Sequence, residues 1–296
     1  MTALADGLIR ALRSPDGALR RGCTGEGLAA DSPVPWWSLT KTFIAVLVLR
    51  AAEAGRLSLD APLPGHAATP RQILAHRAGL PDYYGLPAYS AAVAANEEPW
   101  TAEEMLARLP PAGPAPAPFA YSNVGYLLLR RHLEAAEGKG LGTLLAELFA
   151  PLGLTARLAE TRQDMARTAF PGGQAYHPGW VYHGTLIGPV GEAAQALGAL
   201  FDGRLIGPAS LAAMRDGTRV EMAVPPPWVT PAYGLGLMAG TLDAGRGPVL
   251  VEGHGGGGPG STLAAFRFPS GAIAVTSGPV EADVTLRAAC ALGGAA

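Results

Sequence analysis

The sequence predicts an α/β (α+β) protein in which an antiparallel sheet flanked by helices lies beside an all-helical lobe. Two observations carry this prediction. The C-terminal third alternates short apolar segments with turn residues, whereas the middle of the chain shows helical spacing and helix caps. A single domain over residues 1–296 is therefore expected, with an α/β lobe at about 1–60 and 200–296 and a helical lobe at about 61–199.

The N-terminal segment is expected to form a helix and then a strand. The helix, over residues 2–13, is predicted from apolar residues at helical spacing. These residues are Leu4, Leu8, Ile9 and Leu12. The turn signal Ser14-Pro15-Asp16-Gly17 ends the helix, and a strand over residues 18–23 is expected to join the C-terminal sheet.

The middle of the chain is predicted to be helical from its caps and apolar runs. The run from Thr42 to Leu49 is almost wholly apolar and indicates a buried helix. Thr69 is suited to an N-cap, with Pro70 at the first helical position. The proline-rich residues 109–118 are expected to form an extended connection, because proline excludes a regular helix. Further helices are expected over residues 127–136, 141–149, 192–201 and 283–292.

The C-terminal sheet is predicted from apolar segments bounded by turn residues. Strands are expected over residues 233–239, 249–253, 261–268 and 272–277. Pro269-Ser270-Gly271 predicts a hairpin turn between the last two strands. The glycine-rich run from His254 to Gly260 is expected to lie between two strands, either as a flexible connection or as backbone that approaches a ligand closely.

Composition excludes several classes of function. The formal net charge of −2 gives no electrostatic reason to expect nucleic-acid binding. The apolar run after Lys41 is too short to span a membrane, and the N-terminus lacks the basic and apolar segments of a signal peptide. Cys23 and Cys290 are too few and too far apart in sequence to predict a disulfide framework or a metal site. A cytoplasmic protein with no membrane partner is expected.

The pair Ser38 and Lys41 is the first candidate for chemistry. The chain has only two lysines against twenty arginines, yet one lysine follows a serine by three residues, which places both on one helix face. A buried lysine can lose its proton and act as a base, whereas arginine stays protonated. The pair therefore matches the S-x-x-K arrangement of an activated serine, although a solvated helix face is the alternative interpretation. The apolar run after Lys41 favours burial and a lowered pKa.

A second motif, Tyr121-Ser122-Asn123, offers a hydroxyl for proton transfer and an amide for orienting a substrate. A helix N-cap explains this tripeptide equally well. The third motif is His254-Gly255-Gly256-Gly257, whose small residues let the backbone approach a ligand and direct N–H groups at it.

The order S-x-x-K, Y-S-N and H-G-G resembles that of the β-lactamase-like serine hydrolases, which include class C β-lactamases, DD-peptidases, D-aminopeptidases and family VIII esterases. The resemblance covers residues 34–290 and implies a β-lactamase/transpeptidase-like fold. Other segments are similar to the family as well, and they are residues 73–83, 119–126, 151–154 and 233–236.

The resemblance implies acyl transfer through a covalent acyl-enzyme. Ser38 is then the nucleophile, and Lys41 and Tyr121 share the work of removing its proton, with the identity of the base left open. Backbone N–H groups of Ser38 and Gly257 are the expected oxyanion hole, and Asn123 is expected to bind the acyl side of the substrate. No metal or cofactor is required by this chemistry.

The third motif narrows the expected substrate. β-Lactamases of this group carry Lys-Thr-Gly there, and its charge and hydroxyl hold the carboxylate of the drug. Here His254 and Gly255 stand at those positions, so recognition of penicillins should weaken. The H-G-G motif resembles that of the D-aminopeptidases and some esterases more than that of the β-lactamases, which implies a small ester or a D-amino-acid amide or peptide as the substrate, with weak β-lactamase activity at most.

Two further residues, Trp37 and His183, are candidates for the pocket wall, and ordinary packing explains them as well. Two other functions stay open at this point. The protein is either a catalytically silent binding or scaffold protein on the same fold, since a fold does not establish a function, or a DD-peptidase that penicillin acylates. The oligomeric state is not indicated by the sequence.

Overall fold

The computed structural model describes residues 6–245 and 247–294. The strands are β1 (Ile9–Arg13), β2 (Leu19–Cys23), β3 (Val34–Pro35), β4 (Arg157–Leu158), β5 (Leu186–Gly188), β6 (Thr218–Arg219), β7 (Trp228–Tyr233), β8 (Met238–Asp243), β9 (Pro248–Gly258), β10 (Ser261–Arg267) and β11 (Ile273–Gly278). The helices are α1 (Thr40–Glu53), α2 (Pro70–Leu74), α3 (Pro87–Ala94), α4 (Ala102–Leu106), α5 (Asn123–Glu137), α6 (Leu141–Phe149), α7 (Arg162–Ala166), α8 (Pro171–Gln174), α9 (Val190–Phe201), α10 (Pro208–Arg215) and α11 (Ala282–Gly293).

The larger sheet has the strand order β2-β1-β11-β10-β9-β8-β7-β6, and each neighbouring pair in it is antiparallel. A smaller sheet has the order β3-β5-β4, so the region predicted to be all-helical, residues 61–199, also contains the short strands β4 and β5. The N-terminal strand β1 pairs with β11, with Ile9 opposite Ser277, so both ends of the chain build one sheet. Helix α9 packs against β1 and β11, and α11 packs against β10 and β11. The predicted class, an antiparallel sheet flanked by helices, is confirmed.

The prediction of a helix over residues 2–13 is wrong, because Ile9–Arg13 form β1. Residues before Asp6, including Leu4, lie outside the described residues. Strand β1, the second from one edge of the sheet, is covered on both faces: Ile9 belongs to the main core, and Leu12 packs in the smaller cluster that contains Cys290 of α11. A strand buried on both faces loses its polar alternation, so its apolar residues imitate helical spacing.

Two predictions in the C-terminal sheet are also corrected. Residues 233–239 are not one strand, because β7 ends at Tyr233 and β8 begins at Met238. Between them Gly236 adopts a φ of +75°, which favours glycine and turns the chain. The glycine-rich run is not a connection between strands: His254–Gly258 form the second half of β9, and only Pro259-Gly260 make the turn.

Most helices agree with their predicted positions. Thr69 caps α2, and its side chain forms a capping box with Gln72. Residues 109–118 contain no helix or strand, as expected for a proline-rich connection. The turn before β11 closes with Gly271 N–H donating to the Phe268 carbonyl.

Helix α1 fixes the position of the candidate site. Its residues from Thr40 to Leu49 are all buried, and it packs against α5, while the turn before it contacts β9. The site is therefore assembled between a core helix and the middle of the large sheet. The lobe boundaries near residues 60 and 200 stay a prediction. No helix within the described part of the chain has the length and hydropathy needed to cross a membrane.

Candidate active site

Ser38 lies in a single 3₁₀ turn, Trp37–Leu39, directly before α1. Trp37 adopts a φ of +45°, a conformation that is unusual for a large side chain and is kept only when tertiary contacts hold it. One such contact is the indole Nε1 of Trp37, which donates to Ser261 Oγ at 3.0 Å. The nucleophile candidate is therefore carried by a strained turn that β10 holds in place.

The glycines of β9 allow this strand to lie against the turn. A Cβ atom added to Gly256 would lie 2.8 Å from the backbone nitrogen of Ser38, and one added to Gly258 would lie 2.6 Å from the Trp37 ring. Both distances are too short for a real side chain. At Gly257 the nearest atom, a methyl carbon of Thr262, would be 3.5 Å away, which is an ordinary contact. Close approach to Ser38 and Trp37 therefore explains two of the glycines.

Lys41 is fully buried and is the centre of the polar network. Its Nζ lies 2.9 Å from Ser38 Oγ, 2.7 Å from Asn123 Oδ1 and 3.0 Å from His183 Nε2. Burial lowers the pKa of Lys41 to about 7, although attraction by the Asp82 carboxylate opposes this. A substantial share of neutral amine is therefore present at neutral pH, hydrogen-bonded to the serine.

Asp82 holds Asn123 in a defined orientation. The carboxylate of Asp82 accepts the backbone N–H of Asn123 at 3.1 Å and the side-chain Nδ2–H at 2.9 Å. This assigns the nitrogen of the amide to Asp82 and leaves the oxygen for Lys41. Ser122 fixes the start of α5, where Asn123 lies, because its side chain caps the helix by accepting the Gly125 N–H. Burial raises the pKa of Asp82, while the bonds from Asn123 and the charge of Lys41 lower it.

Tyr121 lies above Lys41, with its ring centroid 5.0 Å from Nζ. Burial raises its pKa well above the usual range, although a hydrogen bond with Ser38 lowers it. The phenol is therefore protonated at neutral pH. The ring of His76 packs against that of Tyr121, with the two centroids 4.1 Å apart. His76 Nδ1 also accepts the Ser122 N–H at 3.1 Å, which holds the residue next to Tyr121 in place.

His254 is buried, 1% exposed, and both of its ring nitrogens are engaged by the protein. Nε2 lies 2.9 Å from the Tyr233 hydroxyl, and Nδ1 contacts the Gly255 carbonyl. Burial lowers the pKa of His254 to about 3, so the ring is neutral. The position therefore supplies no positive charge to a bound carboxylate.

Two cavities meet at Ser38. The first, about 280 Å³, is lined mainly by aromatic side chains. They are Trp37, Tyr83, Tyr84, Tyr89, Tyr121 and Tyr176. Asp82, Asn123 and His183 also line it. The second, about 880 Å³, has largely apolar walls, with Glu281, Asp283 and Arg287 of the α11 region at its border.

Strand β9 separates the two cavities. Gly255 and Gly256 line the second cavity, Gly258 lines the first, and Gly257 lines both together with Ser38. The structure thus brings together the residues that the three motifs predicted. Of the two tryptophans next to the serine, Trp37 lines a cavity and Trp36 is buried in the core.

Two contacts were missed by sequence reasoning. Asp82 was not singled out, and His183 was expected at most in the pocket wall, whereas it contacts Lys41 directly. Both residues reach the site from loops that are 41 and 142 residues away from their partners. No local spacing in the sequence could have indicated either contact.

The comparisons with known proteins establish the family. The Beta-lactamase family model matches residues 18–287, so this chain belongs to the β-lactamase family. The predicted class, a serine hydrolase of the β-lactamase-like family, is thereby confirmed at the level of the family.

Two solved structures and one curated protein are similar to this chain. A D-stereospecific amidohydrolase from Streptomyces sp. superposes with a TM-score of 0.80 at 24% identity, over 95% of this chain and 93% of that one. A D-amino acid amidase from Ochrobactrum anthropi SV3, solved with D-phenylalanine, superposes with a TM-score of 0.79 at 22% identity, over 97% and 91%. Penicillin-binding protein 4 of Amycolatopsis lactamdurans is 28% identical over 175 residues, which cover 52% of this chain and 42% of that protein. The alignment thus spans less than half of this curated relative.

Proposed function

We propose that this protein hydrolyses an amide or ester of a D-amino acid through an acyl-enzyme on Ser38. One observation carries the proposal: Lys41, which is fully buried, lies 2.9 Å from Ser38 Oγ. Because burial lowers the pKa of Lys41 to about 7, roughly half of the amine is neutral at pH 7 and can take a proton. Lys41 is therefore the base in this proposal, and Tyr121, whose pKa is raised, is the acid.

In the acylation step, Lys41 takes the proton of Ser38 as Oγ forms a bond with the carbonyl carbon of the substrate. Backbone N–H groups of Ser38 and Gly257 are the proposed donors to the oxyanion. Tyr121 gives its proton to the leaving nitrogen or oxygen as that bond breaks. The ammonium of Lys41 then returns a proton to Tyr121, so both groups regain their starting states.

In the deacylation step, water attacks the ester carbonyl and loses a proton to the pair of Lys41 and Tyr121. Ser38 Oγ recovers a proton when the acid is released. Asn123 contributes by orientation: one Nδ2 hydrogen is held by Asp82, and the second is proposed to bind the acyl side of the substrate.

The first cavity supports a D-amino-acid acyl group. Its volume of about 280 Å³ and its aromatic walls suit one apolar side chain, and Asp82 offers a carboxylate to an α-ammonium group. Both structural neighbours described above are named for activity on D-amino-acid or D-stereospecific amides. Preference for the D configuration is carried over from them as part of the proposal.

β-Lactams are proposed to be poor substrates. The neutral ring of His254, with both nitrogens engaged, provides no cation for the carboxylate of a penicillin. Charge-assisted hydrogen bonds to a carboxylate contribute on the order of 1.5–3 kcal/mol each. A nitrocefin kcat/KM comparable to that of the best ester or amide would contradict this part of the proposal.

The test measures initial rates for D- and L-phenylalanine p-nitroanilides, a short-chain p-nitrophenyl ester and nitrocefin. Wild type and Ser38→Ala are compared for each substrate. We expect turnover of the D-anilide or the ester by wild type and its loss in Ser38→Ala. Absence of turnover for every substrate, or an equal rate in the variant, would favour a silent binding or scaffold protein on this fold.

A DD-peptidase is the second candidate, and similarity to a penicillin-binding protein favours it. A penicilloyl adduct on Ser38 that persists for hours, detected by mass spectrometry, would move this candidate ahead. Both candidate functions act on a small-molecule substrate. The cytoplasmic location and the absence of nucleic-acid partners stay predictions, and cell fractionation tests the location directly.

A further inference from the structure

A buried histidine borders the proposed base, and the mechanism above gives it no role. His183 Nε2 lies 3.0 Å from Lys41 Nζ, and the residue is 2% exposed. Within residues 6–245 and 247–294, the other ring nitrogen, Nδ1, is buried without a hydrogen-bond partner. Buried polar atoms are nearly always paired, so an exception beside a reacting group calls for an explanation.

The hydrogens of Lys41 can be counted from its partners. The neutral amine has two hydrogens and one lone pair. Asn123 Oδ1 can only accept, because Asp82 holds the Nδ2 end of this amide, so one hydrogen goes to Asn123. One hydrogen and the lone pair remain for Ser38 and His183. If His183 Nε2 carried a proton, it would occupy the lone pair, and Lys41 could not take the proton of Ser38.

The charged form of Lys41 leads to the same tautomer. An ammonium group has three hydrogens and no lone pair, and its three partners here are Ser38, Asn123 and His183. An N–H on Nε2 of His183 would face an N–H of the lysine. Since the base gains and loses a proton in every turnover, a ring with its proton on Nδ1 accepts from Lys41 in both states without rearranging.

The surroundings keep this ring neutral. Burial holds the pKa of His183 well below its usual range, and the charges of Lys41 and Arg130 lower it further. Two other histidines face the same region, and burial also lowers the pKa of each of them, His76 and His254. No imidazolium therefore competes with the lysine for its partners.

The groups that face Lys41 itself include one carboxylate and two phenols. Asp82 raises the pKa of Lys41 by attraction. The rings of Tyr121 and Tyr126 lie 5.0 and 5.8 Å from Nζ, and burial raises the pKa of both hydroxyls, so they stay protonated. Of the three described side chains hydrogen-bonded to Nζ (Ser38, Asn123 and His183), His183 is the one whose role as donor or acceptor depends on its tautomer.

We infer that His183, with its proton on Nδ1, accepts a hydrogen bond from Lys41 and thereby turns the lone pair of the lysine toward Ser38. It is a positioning residue that acts through Lys41. The unpartnered Nδ1–H is the cost of presenting an unprotonated Nε2 to the base. This inference rests on the proposed function, because it assumes that Lys41 is the base.

The direct test is the ¹⁵N NMR spectrum of histidine-labelled protein, in which the ring nitrogens report where the proton lies. His183→Gln identifies the resonances by their disappearance. We expect Nδ1 protonated and Nε2 unprotonated on both sides of pH 7. A proton on Nε2 would overturn the inference. The measurement needs no substrate, so its outcome is independent of whether the proposed hydrolysis is found.

The second test uses the kinetics of His183→Leu and His183→Gln. Gln offers a carbonyl oxygen to Lys41, whereas Leu offers no acceptor. We expect His183→Leu to lower kcat by about 10- to 100-fold with a smaller change in KM. With Lys41 as the base, the rate falls at low pH as the amine becomes protonated, and this fall is the acid limb of the pH profile. In His183→Leu the acid limb should move to lower pH, because the ammonium loses an acceptor and the pKa of Lys41 falls.

His183→Gln should recover most of the lost kcat and restore the position of the acid limb. Circular dichroism and thermal unfolding establish that each variant is folded. A merely structural role would lower the amount of folded enzyme without moving the acid limb. Wild-type behaviour of His183→Leu, or equal losses in the two variants, would overturn the inference.

Discussion

The two cavities that meet at Ser38 differ in size, wall and charge. The first is about 280 Å³ and aromatic, and Asp82 is the one charged side chain among the described residues that line it. The second is about 880 Å³, with largely apolar walls and both signs of charge at its border. Asp82 and Asn123, which contact Lys41 or each other, line the small cavity, whereas the large cavity reaches Lys41 through Ser38, which lines both. Because the first cavity is proposed to hold the acyl group, we expect the second to receive the leaving group. The enzyme should then be selective for the acyl group and tolerant of different leaving groups.

The largest effect on activity is expected from a substitution in β9, the strand that separates the two cavities. Gly256→Ala places a Cβ atom 2.8 Å from Ser38 N and Trp37 Cβ, so the turn or the strand must move. We expect kcat/KM to fall by about 100-fold or more for every substrate, because small misplacement of a nucleophile is costly. The free energy of unfolding, measured by thermal denaturation, should fall by about 1–3 kcal/mol.

Gly257→Ala is the matched control, because its Cβ atom would make only an ordinary contact, at 3.5 Å from Thr262. It adds the same methyl group one residue further along β9. Wild-type unfolding is expected for this variant. If Gly256→Ala and Gly257→Ala have the same free energy of unfolding, β9 is not closely packed against the serine turn at Gly256.

The charge difference between the cavities predicts a shift in the pH profile. With Lys41 as the base, kcat/KM should fall as pH drops below about 7, where the amine becomes protonated. Asp82 raises the pKa of Lys41, so Asp82→Asn should move this acid limb to lower pH. The rate on the plateau should fall by about tenfold, because Asn123 loses its orienting carboxylate.

Asp283→Asn removes a carboxylate from the border of the other cavity and serves as the control. It should leave the acid limb in place. An acid limb that stays fixed in Asp82→Asn, or that moves in both variants, would contradict a specific connection between the small cavity and the base.

The smallest effects are expected from filling one cavity at a time. Val181→Phe narrows the first cavity and should lower kcat/KM for D-phenylalanine p-nitroanilide by about tenfold. The kcat/KM for D-alanine p-nitroanilide, which has a smaller side chain, should change little. Ala282→Phe, in the exposed first turn of α11, narrows the second cavity. It should affect anilides more than simple amides of the same D-amino acid. The same substrate ranking in both variants would mean that the cavities do not divide acyl group from leaving group.

The part of the site that is local in sequence could be predicted from the sequence alone. Ser38 and Lys41 are three residues apart before a buried helix, so helical geometry brings them together, and the apolar run indicates the burial that lowers the pKa of the lysine. For the glycines of β9, the sequence leaves open a flexible connection between strands or backbone that approaches a ligand, and the structure places them within a strand. What they approach, the strained turn at Trp37, was not evident, because positive φ values in large residues have no sequence signal.

The part that depends on tertiary packing could not be predicted. His183 and Asp82 reach the network from separate loops, and nothing in their neighbours along the chain distinguishes them from packed residues. The error at β1 has the same origin. Whether Leu12 lies on a helix or on a strand depends on α11, which covers the far face of the strand and is more than 250 residues away.

Because β1 pairs with β11, completion of the large sheet has to wait for synthesis of the last strand. Closing so long a loop costs entropy that local contacts do not offset, so this pairing belongs to the slow part of folding. While the ribosome is still making β10, Ile9 and Leu12 have no strand beside them on that edge and α1 has only part of its cover. A nascent chain therefore contains Ser38 and Lys41 long before the sheet that completes their surroundings can form.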